Sequence, residues 1–289
     1  MSNRIIKVCP GIGDSIWLFQ KLVNTGERFD FLLPDGRPQR GKQIFDLFPQ
    51  VASSATYVPG LSYKTLAAGN IQNRKRRWNE IKDREFFLSC NKWLEDGNRL
   101  EGFLPDLPIN YQLQYNTTIE DATTAQNLTP EGKRYIGVYG SSYSSQRSWG
   151  FWDETGWHEL IKLFHAEDSE LVFVIIGASF DQDLGSKLVD LIQGDDITFV
   201  NTIGQPLSVV IEILKRLSYF IGFPSGLSIL NETLGKDTFM FYPPHLIKMM
   251  NTWACPERIR SGKYKGAQFC APQKSFDWIK NDYKLFNRI

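Results

Sequence analysis

Cysteine and histidine are scarce in this sequence, and neither is arranged in a familiar metal or disulfide pattern. The four cysteines lie far apart with no Cys-x-x-Cys pair, and the three histidines form no cluster with carboxylates. Spacing of this kind argues against a structural zinc site and against a disulfide framework. We therefore expect buried thiols, no bound metal and no cofactor.

Long apolar runs and a large net charge are missing as well. No run approaches the ~18 apolar residues that a membrane-spanning helix needs, and the first residues enter a strand pattern without the features of a secretion signal. We expect a cytoplasmic protein without an integral membrane segment, although attachment at the inner membrane surface stays compatible with this. The formal charge of +1 argues against the broad basic face that coating nucleic acid requires.

One local run of positive charge stands out against this balance. Arg74, Arg76 and Arg77 lie close together and are followed by Trp78. A solvated helix face explains such a run, and so does a docking surface for an anionic acceptor, with the indole as an aromatic plane.

Apolar runs of strand length alternate with amphipathic stretches of helix length through most of the 289 residues. This alternation predicts α/β architecture with parallel sheets. Strands are expected at 5–9, 29–33, 55–58, 86–90, 135–139, 171–177, 197–203, 219–223 and 238–242. Helices are expected at 14–24, 43–48, 155–164, 181–192, 207–217, 225–234 and 274–286. The polar stretch 116–134 predicts a boundary, which gives domains at 1–128 and 129–272 and a C-terminal helix, 273–289, that packs back on the body.

A tight turn follows the predicted strand 219–223. Gly222, Pro224, Ser225 and Gly226 form a segment with little side-chain bulk, so the amides that open the next helix can approach an anion closely. Glu232 lies two helical turns beyond Ser225, where a carboxylate can accept hydrogen bonds from ribose hydroxyls. This pattern favours a nucleotide half-site, with an ordinary strand-to-helix turn as the alternative.

The first predicted strand is also followed by a glycine turn, Gly11-Ile-Gly13. A dinucleotide fingerprint needs a third glycine where this chain has Ile16, so NAD binding is weakly supported. Asp14 instead places a carboxylate in the first helical turn, either as a cap for its own helix or as a base. Ligands of open parallel sheets bind beyond the carboxyl ends of the strands. Both turns occupy that position, and together they predict glycosyl transfer.

Three stretches, 10–16, 139–157 and 218–243, resemble glycosyltransferases of the two-Rossmann-domain GT-B architecture, specifically the ADP-heptose:lipopolysaccharide heptosyltransferase-like family, glycosyltransferase family 9. The resemblance implies two Rossmann-like, doubly wound domains facing a central cleft. It implies that Asp14 is the catalytic base and that the turn-helix holds the donor diphosphate through Ser225, Gly226, Leu227 and Ser228. The helix is also similar to the UDP-binding helix of lipid II GlcNAc-transferases, which implies a ribose contact for Glu232.

The sequence departs from the family pattern at two positions. Family members have Asp-Thr-Gly where this chain has Pro224-Ser-Gly226, so a sugar-contacting carboxylate is missing. They also have a Lys before a Trp, where this chain offers Arg147, a side chain that can bind phosphate through a bidentate fork. The alternative for Arg147 is a surface residue, and the heptose itself is not implied.

These observations combine into one expectation, a metal-independent transfer from a nucleoside-diphosphate sugar to a hydroxyl of a glycan or other, possibly anionic, acceptor. The family resemblance implies that this transfer inverts the configuration of the anomeric carbon. The base is Asp14. The donor residues are Ser141, Ser142, Arg147, Pro224, Ser225, Gly226, Leu227, Ser228 and Glu232. The acceptor residues are Gly11, Gly13, Arg74, Arg76 and Arg77. Three alternatives stay open: a catalytically silent binding protein, transfer to a modified nucleic-acid base, which ranks lower because the net charge is small, and a sugar-nucleotide epimerase.

Overall fold

The computed structural model describes residues 4–8, 11–34, 40–57, 78, 85–88, 90–140, 152–177 and 182–282. The chain divides into two compact units, Met1–Asn116 with Lys248–Cys255, and Thr117–Ile247 with Pro256–Ile289. The sequence placed the first boundary at 128/129 and did not anticipate that the segment Lys248–Cys255 would join the first unit. The functional domain limits stay a prediction.

The first unit is built on a four-stranded sheet in which all neighbouring strands run parallel. Among its described residues the strands are β1 (Arg4–Val8), β2 (Phe29–Pro34), β3 (Val51–Tyr57) and β4 (Glu85–Leu88), and the α-helices are α1 (Ile12–Leu22), α2 (Arg40–Asp46) and α3 (Asn91–Glu95). The strand order is β3-β2-β1-β4. The chain leaves β1 towards β2 and later returns to the opposite side of β1, which creates a topological switch point between β1 and β4.

Helix α1 is the core helix of this unit. Nine of its eleven residues are buried, which leaves its N-terminal turn as the part that solvent can reach. Phe19 stacks on Phe48 with ring centroids 4.0 Å apart and meets Phe31 and Phe45 edge to face. Aromatic contacts of this kind stabilise a core by more than the burial of their surface area alone. Helix α1 is therefore firmly packed and holds the residues of its first turn, including Asp14, in a fixed position.

A buried lysine adds a polar anchor to the same helix. Lys21 is 1% exposed, and its ammonium donates hydrogen bonds to the carbonyl oxygens of Glu101 and Leu107 at 2.9 and 3.0 Å. Burial is the main effect on this group and lowers the pKa of Lys21, although the nearby Glu101 opposes the change. The two carbonyl contacts fix the C-terminal part of α1 against residues 101–107.

The second unit is built on a six-stranded, fully parallel sheet. Its described strands are β5 (Arg134–Val138), β6 (Leu171–Ile175), β7 (Phe199–Asn201), β8 (Tyr219–Gly222), β9 (Thr238–Tyr242) and β10 (Tyr264–Gln268). Its described α-helices are α4 (Ile119–Leu128), α5 (Glu154–Glu167), α6 (Gln182–Gln193), α7 (Leu207–Arg216), α8 (Gly226–Thr233), α9 (Pro256–Arg260) and α10 (Pro272–Asp282). The order β10-β9-β8-β5-β6-β7 is the doubly wound order of dinucleotide-binding domains, with the switch point between β5 and β8.

The polar stretch 116–134, where a domain boundary was predicted, contains the helix α4, which the sequence did not predict. Thr118 caps this helix by accepting a hydrogen bond from the amide of Asp121, whose carboxylate accepts one from the amide of Thr118 in return. Asp121 also accepts a hydrogen bond from Ser208 at 2.7 Å, which joins α4 to α7. A reciprocal capping box of this kind stabilises the start of a helix and is a sequence signal for it even where a hydrophobic stripe is absent.

The last described helix, α10, packs on α5. Phe276 meets Phe164 edge to face at 5.2 Å, and Lys280 forms an ion pair with Glu167 at 2.5 Å. Among the described residues there is no helix with the length and apolar character needed to cross a membrane. The predicted class, α/β with two parallel sheets, is confirmed.

Candidate active site

The candidate site of the first unit is the glycine turn that leads from β1 into α1. Gly11 is the N-cap of α1, and its carbonyl accepts hydrogen bonds from the amide and the hydroxyl of Ser15 at 3.1 and 2.9 Å. A Cβ atom at Gly11 would lie 2.6 Å from Oδ2 of Asp14, and Gly13 is buried inside the helix. Gly11 therefore leaves the space that the Asp14 carboxylate occupies.

Asp14 itself is in an unusual electrostatic position. The residue is partly exposed, but its Oδ1 is buried and has no hydrogen-bond partner among the described residues. Oδ1 therefore does not cap the amides of its own helix. Burial first, and then the nearby charge of Glu95, raise the pKa of Asp14 from 3.8 to about 7. A carboxylate with that pKa can accept a proton near neutral pH.

Glu95 is a residue that the sequence did not single out. It lies on α3, the helix that follows β4, and β4 is the neighbour of β1 across the switch point. Asn91 donates a hydrogen bond to Oε1 of Glu95 at 2.9 Å, and the Lys92 ammonium is 3.6 Å from Oε2. The sequence signal that could have indicated Glu95 is the order of the strands, because residues that follow two neighbouring parallel strands lie at the same edge of a sheet.

The candidate site of the second unit is the turn between β8 and α8. A Cβ atom at Gly222 would lie 2.9 Å from both the Ser228 hydroxyl and a ring carbon of Phe220, so the absence of a side chain lets α8 pack closely against its strand. Pro224, Leu227 and Ser228 are buried, whereas Ser225 and Gly226 are partly exposed. The start of α8 is thus the accessible part of this turn.

The N-terminus of α8 has no side-chain cap. Ser225 is the N-cap residue, but its hydroxyl makes no hydrogen bond to an amide of the helix. It lies instead 3.2 Å from the hydroxyl of Tyr139, the residue that follows β5. The hydroxyl of Ser228 is buried and has no partner among the described residues. Uncapped amides and an unpartnered hydroxyl in one helical turn can bind an anion.

Glu232 lies two turns along α8, as predicted, but its surroundings differ from those of a ligand-binding carboxylate. Its side chain is 2% exposed and forms an ion pair with Arg258, whose Nε is 2.9 Å from Oε1. Arg258 also donates to the carbonyl oxygens of Gly235 and Lys236 at the end of α8. In this arrangement the carboxylate of Glu232 already has a cationic partner and almost no contact with solvent. The ribose contact stays a prediction.

The remaining predicted residues lie outside the part of the chain that the structure describes. They are Ser141, Ser142 and Arg147 of the donor set and Arg74, Arg76 and Arg77 of the acceptor set. Trp78 is described, and it corrects the aromatic-plane interpretation. Its side chain is 6% exposed, with its ring edge to face with Phe29 and under the guanidinium of Arg4. A buried indole of this kind belongs to the core.

No family model and no curated protein sequence matches this chain. Solved protein structures, in contrast, match it over almost its whole length. The E. coli ADP-heptose lipopolysaccharide heptosyltransferase II aligns with 98% of this chain and 99% of its own, at a TM-score of 0.62 and 13% identity. A family 9 glycosyl transferase from Veillonella parvula aligns with 99% of this chain and 98% of its own, also at 0.62 and 13%. The chain has the GT-B fold. The fold predicted from the sequence is therefore confirmed.

The GT-B fold is shared by more than one activity. A Listeria monocytogenes protein assigned as a UDP-N-acetylglucosamine 2-epimerase aligns with 100% of this chain and 89% of its own, at a TM-score of 0.51 and 10% identity. At identities this low the likeness describes the fold and not the reaction. Choosing among activities therefore depends on the side chains of this protein.

Proposed function

We propose that this protein is a glycosyltransferase that moves a sugar from a nucleoside-diphosphate sugar to an acceptor hydroxyl. The observation that carries the proposal is the Asp14 carboxylate, which combines a buried, unpartnered Oδ1 with a pKa of about 7. It lies at the switch point of a GT-B sheet, where ligands of such sheets bind. A group poised in this way is suited to accept one proton at neutral pH.

In the proposed step Asp14 takes the proton of the acceptor hydroxyl as that oxygen forms a bond to the anomeric carbon of the donor sugar. The bond between this carbon and the diphosphate oxygen breaks, its electron pair stays on the diphosphate, and the nucleoside diphosphate leaves. Attack from the side opposite the leaving group inverts the configuration of the anomeric carbon. The step requires no oxidant, and we propose that it requires no metal.

The first turn of α8 is the proposed site of the donor diphosphate. The uncapped amides of Gly226, Leu227 and Ser228, together with the Ser225 and Ser228 hydroxyls, supply donors for negative charge that builds up as the diphosphate leaves. Arg147, Ser141 and Ser142 belong to the same proposal. Glu232 is the proposed ribose ligand, a role in which its carboxylate, now paired with Arg258, would accept hydrogen bonds from the ribose hydroxyls.

The proposed acceptor is a saccharide, with Gly11 and Gly13 beside the base and Arg74, Arg76 and Arg77 available to an anionic group. Transfer to a nucleic-acid base ranks lower, because the formal charge of the chain is only +1. A cytoplasmic location, with access to the membrane surface, is part of the same proposal. The proposed location rests only on the similarity in fold to a lipopolysaccharide heptosyltransferase.

The experiment has a binding arm and a turnover arm. Calorimetry with ADP, UDP, GDP and CMP, with and without EDTA, should find one nucleotide that binds without a metal. The corresponding nucleotide sugars should then support transfer to a panel of saccharides. Asp14→Asn should leave nucleotide affinity unchanged and lower kcat by about 10²- to 10⁴-fold, the usual contribution of a general base.

Loss of folding cannot account for that result, because the sign of the stability effect is opposite. The pKa of Asp14 in the folded state lies above its ordinary value, so its charge at pH 8 costs stability that Asn does not. Asp14→Asn should therefore melt at an equal or higher temperature. Unchanged turnover would remove Asp14 as the base. Binding without any transfer would favour a silent binding protein, and interconversion of the sugar without an acceptor would favour an epimerase.

A further inference from the structure

Tyr139 is the residue that connects the two strands at the switch point of the second unit. It directly follows β5, and its hydroxyl reaches Ser225, which follows β8. These strands are neighbours in the sheet, and the connections that leave them run to opposite sides. The hydroxyl pair therefore spans the point where a parallel sheet of this order binds its ligand.

The position of the Tyr139 hydroxyl is fixed by packing. The side chain is 3% exposed, and its ring stacks on that of Phe223 at 5.4 Å with an angle of 23°. The backbone amide of Tyr139 donates to the carbonyl of Ile221 at 2.9 Å, which extends the pairing of β5 with β8. A ring held from the backbone and from one face has few alternative positions for its hydroxyl.

Ser225 is placed differently from most serines at helix starts. An N-cap serine usually accepts a hydrogen bond from an amide of the first turn. Ser225 has the extended backbone of an N-cap, with φ of -134° and ψ of 170°, but its hydroxyl makes no such bond. Its Oγ is instead 3.2 Å from the hydroxyl of Tyr139.

We propose that Tyr139 is a positioning residue for the donor site, a role that rests on the function proposed above. By holding the Ser225 hydroxyl, Tyr139 keeps the first-turn amides of α8 open to the diphosphate of a nucleoside diphosphate. The buried, unpartnered hydroxyl of Ser228 in the same turn is an independent indication of a ligand there. Without Tyr139, Ser225 caps its own helix and competes with the ligand.

The test compares Tyr139→Phe with Tyr135→Phe. Tyr135 lies on β5, the strand that Tyr139 follows, and is also 3% exposed, but its hydroxyl donates to the carbonyl of Pro130 at 2.8 Å. In Tyr139→Phe the Kd for ADP or UDP by calorimetry should rise about 3- to 10-fold, as expected for one hydrogen bond, and so should the KM of the nucleotide sugar, with kcat changing less. Tyr135→Phe should leave both constants unchanged.

A second readout follows the helix directly and requires no ligand. When Ser225 caps α8, hydrogen exchange at the amides of Leu227 and Ser228 should slow by about 3- to 10-fold in Tyr139→Phe. In a Ser225→Ala background the same Tyr139→Phe change should alter neither exchange nor affinity, because no hydroxyl is left to move.

The possible failures can be told apart. If the wild-type protein binds ADP or UDP and Tyr139→Phe binds it equally well with unchanged exchange, the positioning role is overturned while the proposed function stands. Additive effects of the two variants would also overturn it, since they would mean that Tyr139 acts other than through Ser225. If no nucleotide binds the wild-type protein and no transfer occurs, both proposals fall together.

Discussion

The Asp14 carboxyl has a pKa of about 7 where an ordinary aspartate has 3.8, and two features of the fold explain the difference. The larger is burial, because Oδ1 sits where neither solvent nor a described donor stabilises its charge. The smaller is Glu95, a second carboxylate at the same sheet edge. Such an environment makes the ionised form costly and raises the affinity of the group for a proton.

The contribution of Glu95 can be measured in the pH dependence of the reaction. As a general base, Asp14 must be ionised, so kcat/KM of the wild-type protein should rise with pH to a plateau, with a midpoint near pH 7. Glu95→Gln should move this midpoint to lower pH by less than half of the distance to 3.8, because burial is the larger cause. Full pH profiles at saturating donor would give both midpoints.

Asp96→Asn is the matched control for this change. Asp96 is the next residue, is exposed, and does not contribute to the Asp14 pKa. Its profile should coincide with that of the wild-type protein. A Glu95→Gln midpoint that stays near pH 7 or moves upward would contradict the assigned electrostatics.

At the scale of elements, the sequence predicted best where apolar runs are long and their neighbours are short turns. The strands β6, β8 and β9 lie within the predicted bounds or match them, and β5 is offset by one residue from its predicted bounds. Each is fully or almost fully buried and is a nearly continuous apolar run. Helix α10 was placed at 274–286, and its described part begins at Pro272. Such elements can be predicted because burial of one or both faces requires apolar residues at regular positions in the sequence.

Helix α4 and strand β10 are among the elements that the sequence did not predict, and interactions other than a local apolar pattern form them. Most residues of helix α4 are polar, so the helix has no hydrophobic stripe. The capping box Thr118-x-x-Asp121 is the sequence signal from which the start of this helix could have been predicted. Strand β10 pairs with β9 at the edge of the sheet through a segment, Tyr264–Gln268, that contains one tyrosine, one alanine and a glycine but no large aliphatic side chain. Pairing partners of this kind come from the tertiary fold and are invisible in a local pattern.

The candidate site residues also include some that a local sequence pattern predicted and some that it did not. Asp14 and the Ser225 turn were predictable because each follows an apolar strand and precedes a helix. Tyr139 lay in a stretch that carried the family resemblance, but nothing local indicated which residue its hydroxyl would meet. Arg258 was equally hidden, since it lies 26 residues beyond Glu232. Contacts between distant segments depend on strand order, which the sequence does not display.

The ion pair of Arg258 with Glu232 leads to a prediction for α8. The side chains of Arg258 and Glu232 are 12% and 2% exposed, so Arg258→Met would remove the cationic partner of a buried carboxylate. Loss of one partner of such a pair costs about 3–5 kcal/mol, which urea denaturation would measure. The double variant Glu232→Gln with Arg258→Met should recover much of this loss, because no buried charge remains.

The same positions separate a structural role of Glu232 from a ribose contact. If Glu232 binds ribose, Glu232→Gln should weaken binding of ADP or UDP but not of the 2′,3′-dideoxy nucleotides, which lack the hydroxyls in question. Equal affinity changes for both kinds of nucleotide would assign Glu232 to the ion pair alone. A small stability loss in Arg258→Met would instead show that the carboxylate finds another partner.

At the scale of the whole molecule, the chain does not divide into two continuous halves. The segment Lys248–Cys255 belongs to the first unit, although it follows β9 of the second. Leu100 donates its amide hydrogen to the carbonyl of Thr252 at 2.9 Å, and Arg99 donates to the carbonyls of Asn251 and Ala254 at 2.8 and 3.2 Å. The first unit therefore depends on residues that come more than a hundred positions after its own sheet.

Trp253 tests this dependence. Its indole is 1% exposed and lies 6.0 Å from that of Trp17 on α1, centroid to centroid. Trp253→Ala should cost about 3–5 kcal/mol, as is usual for a buried Trp, and the loss should be confined to the first unit. Hydrogen exchange should accelerate in β1, β2 and α1 while β5, β6 and β8 keep their protection.

The matched variant for this comparison is Trp157→Ala, which removes an indole that is 0% exposed in the second unit. It should produce the opposite pattern, with faster exchange in β5 and β8 and unchanged exchange in β1 and α1. Because the two variants delete the same side chain from equally buried positions, the cavity itself cannot explain a difference in location. Faster exchange of β9 and β10 in Trp253→Ala, with β1 unaffected, would mean that the segment Lys248–Cys255 supports the strands next to it in sequence and not the unit in which it is folded.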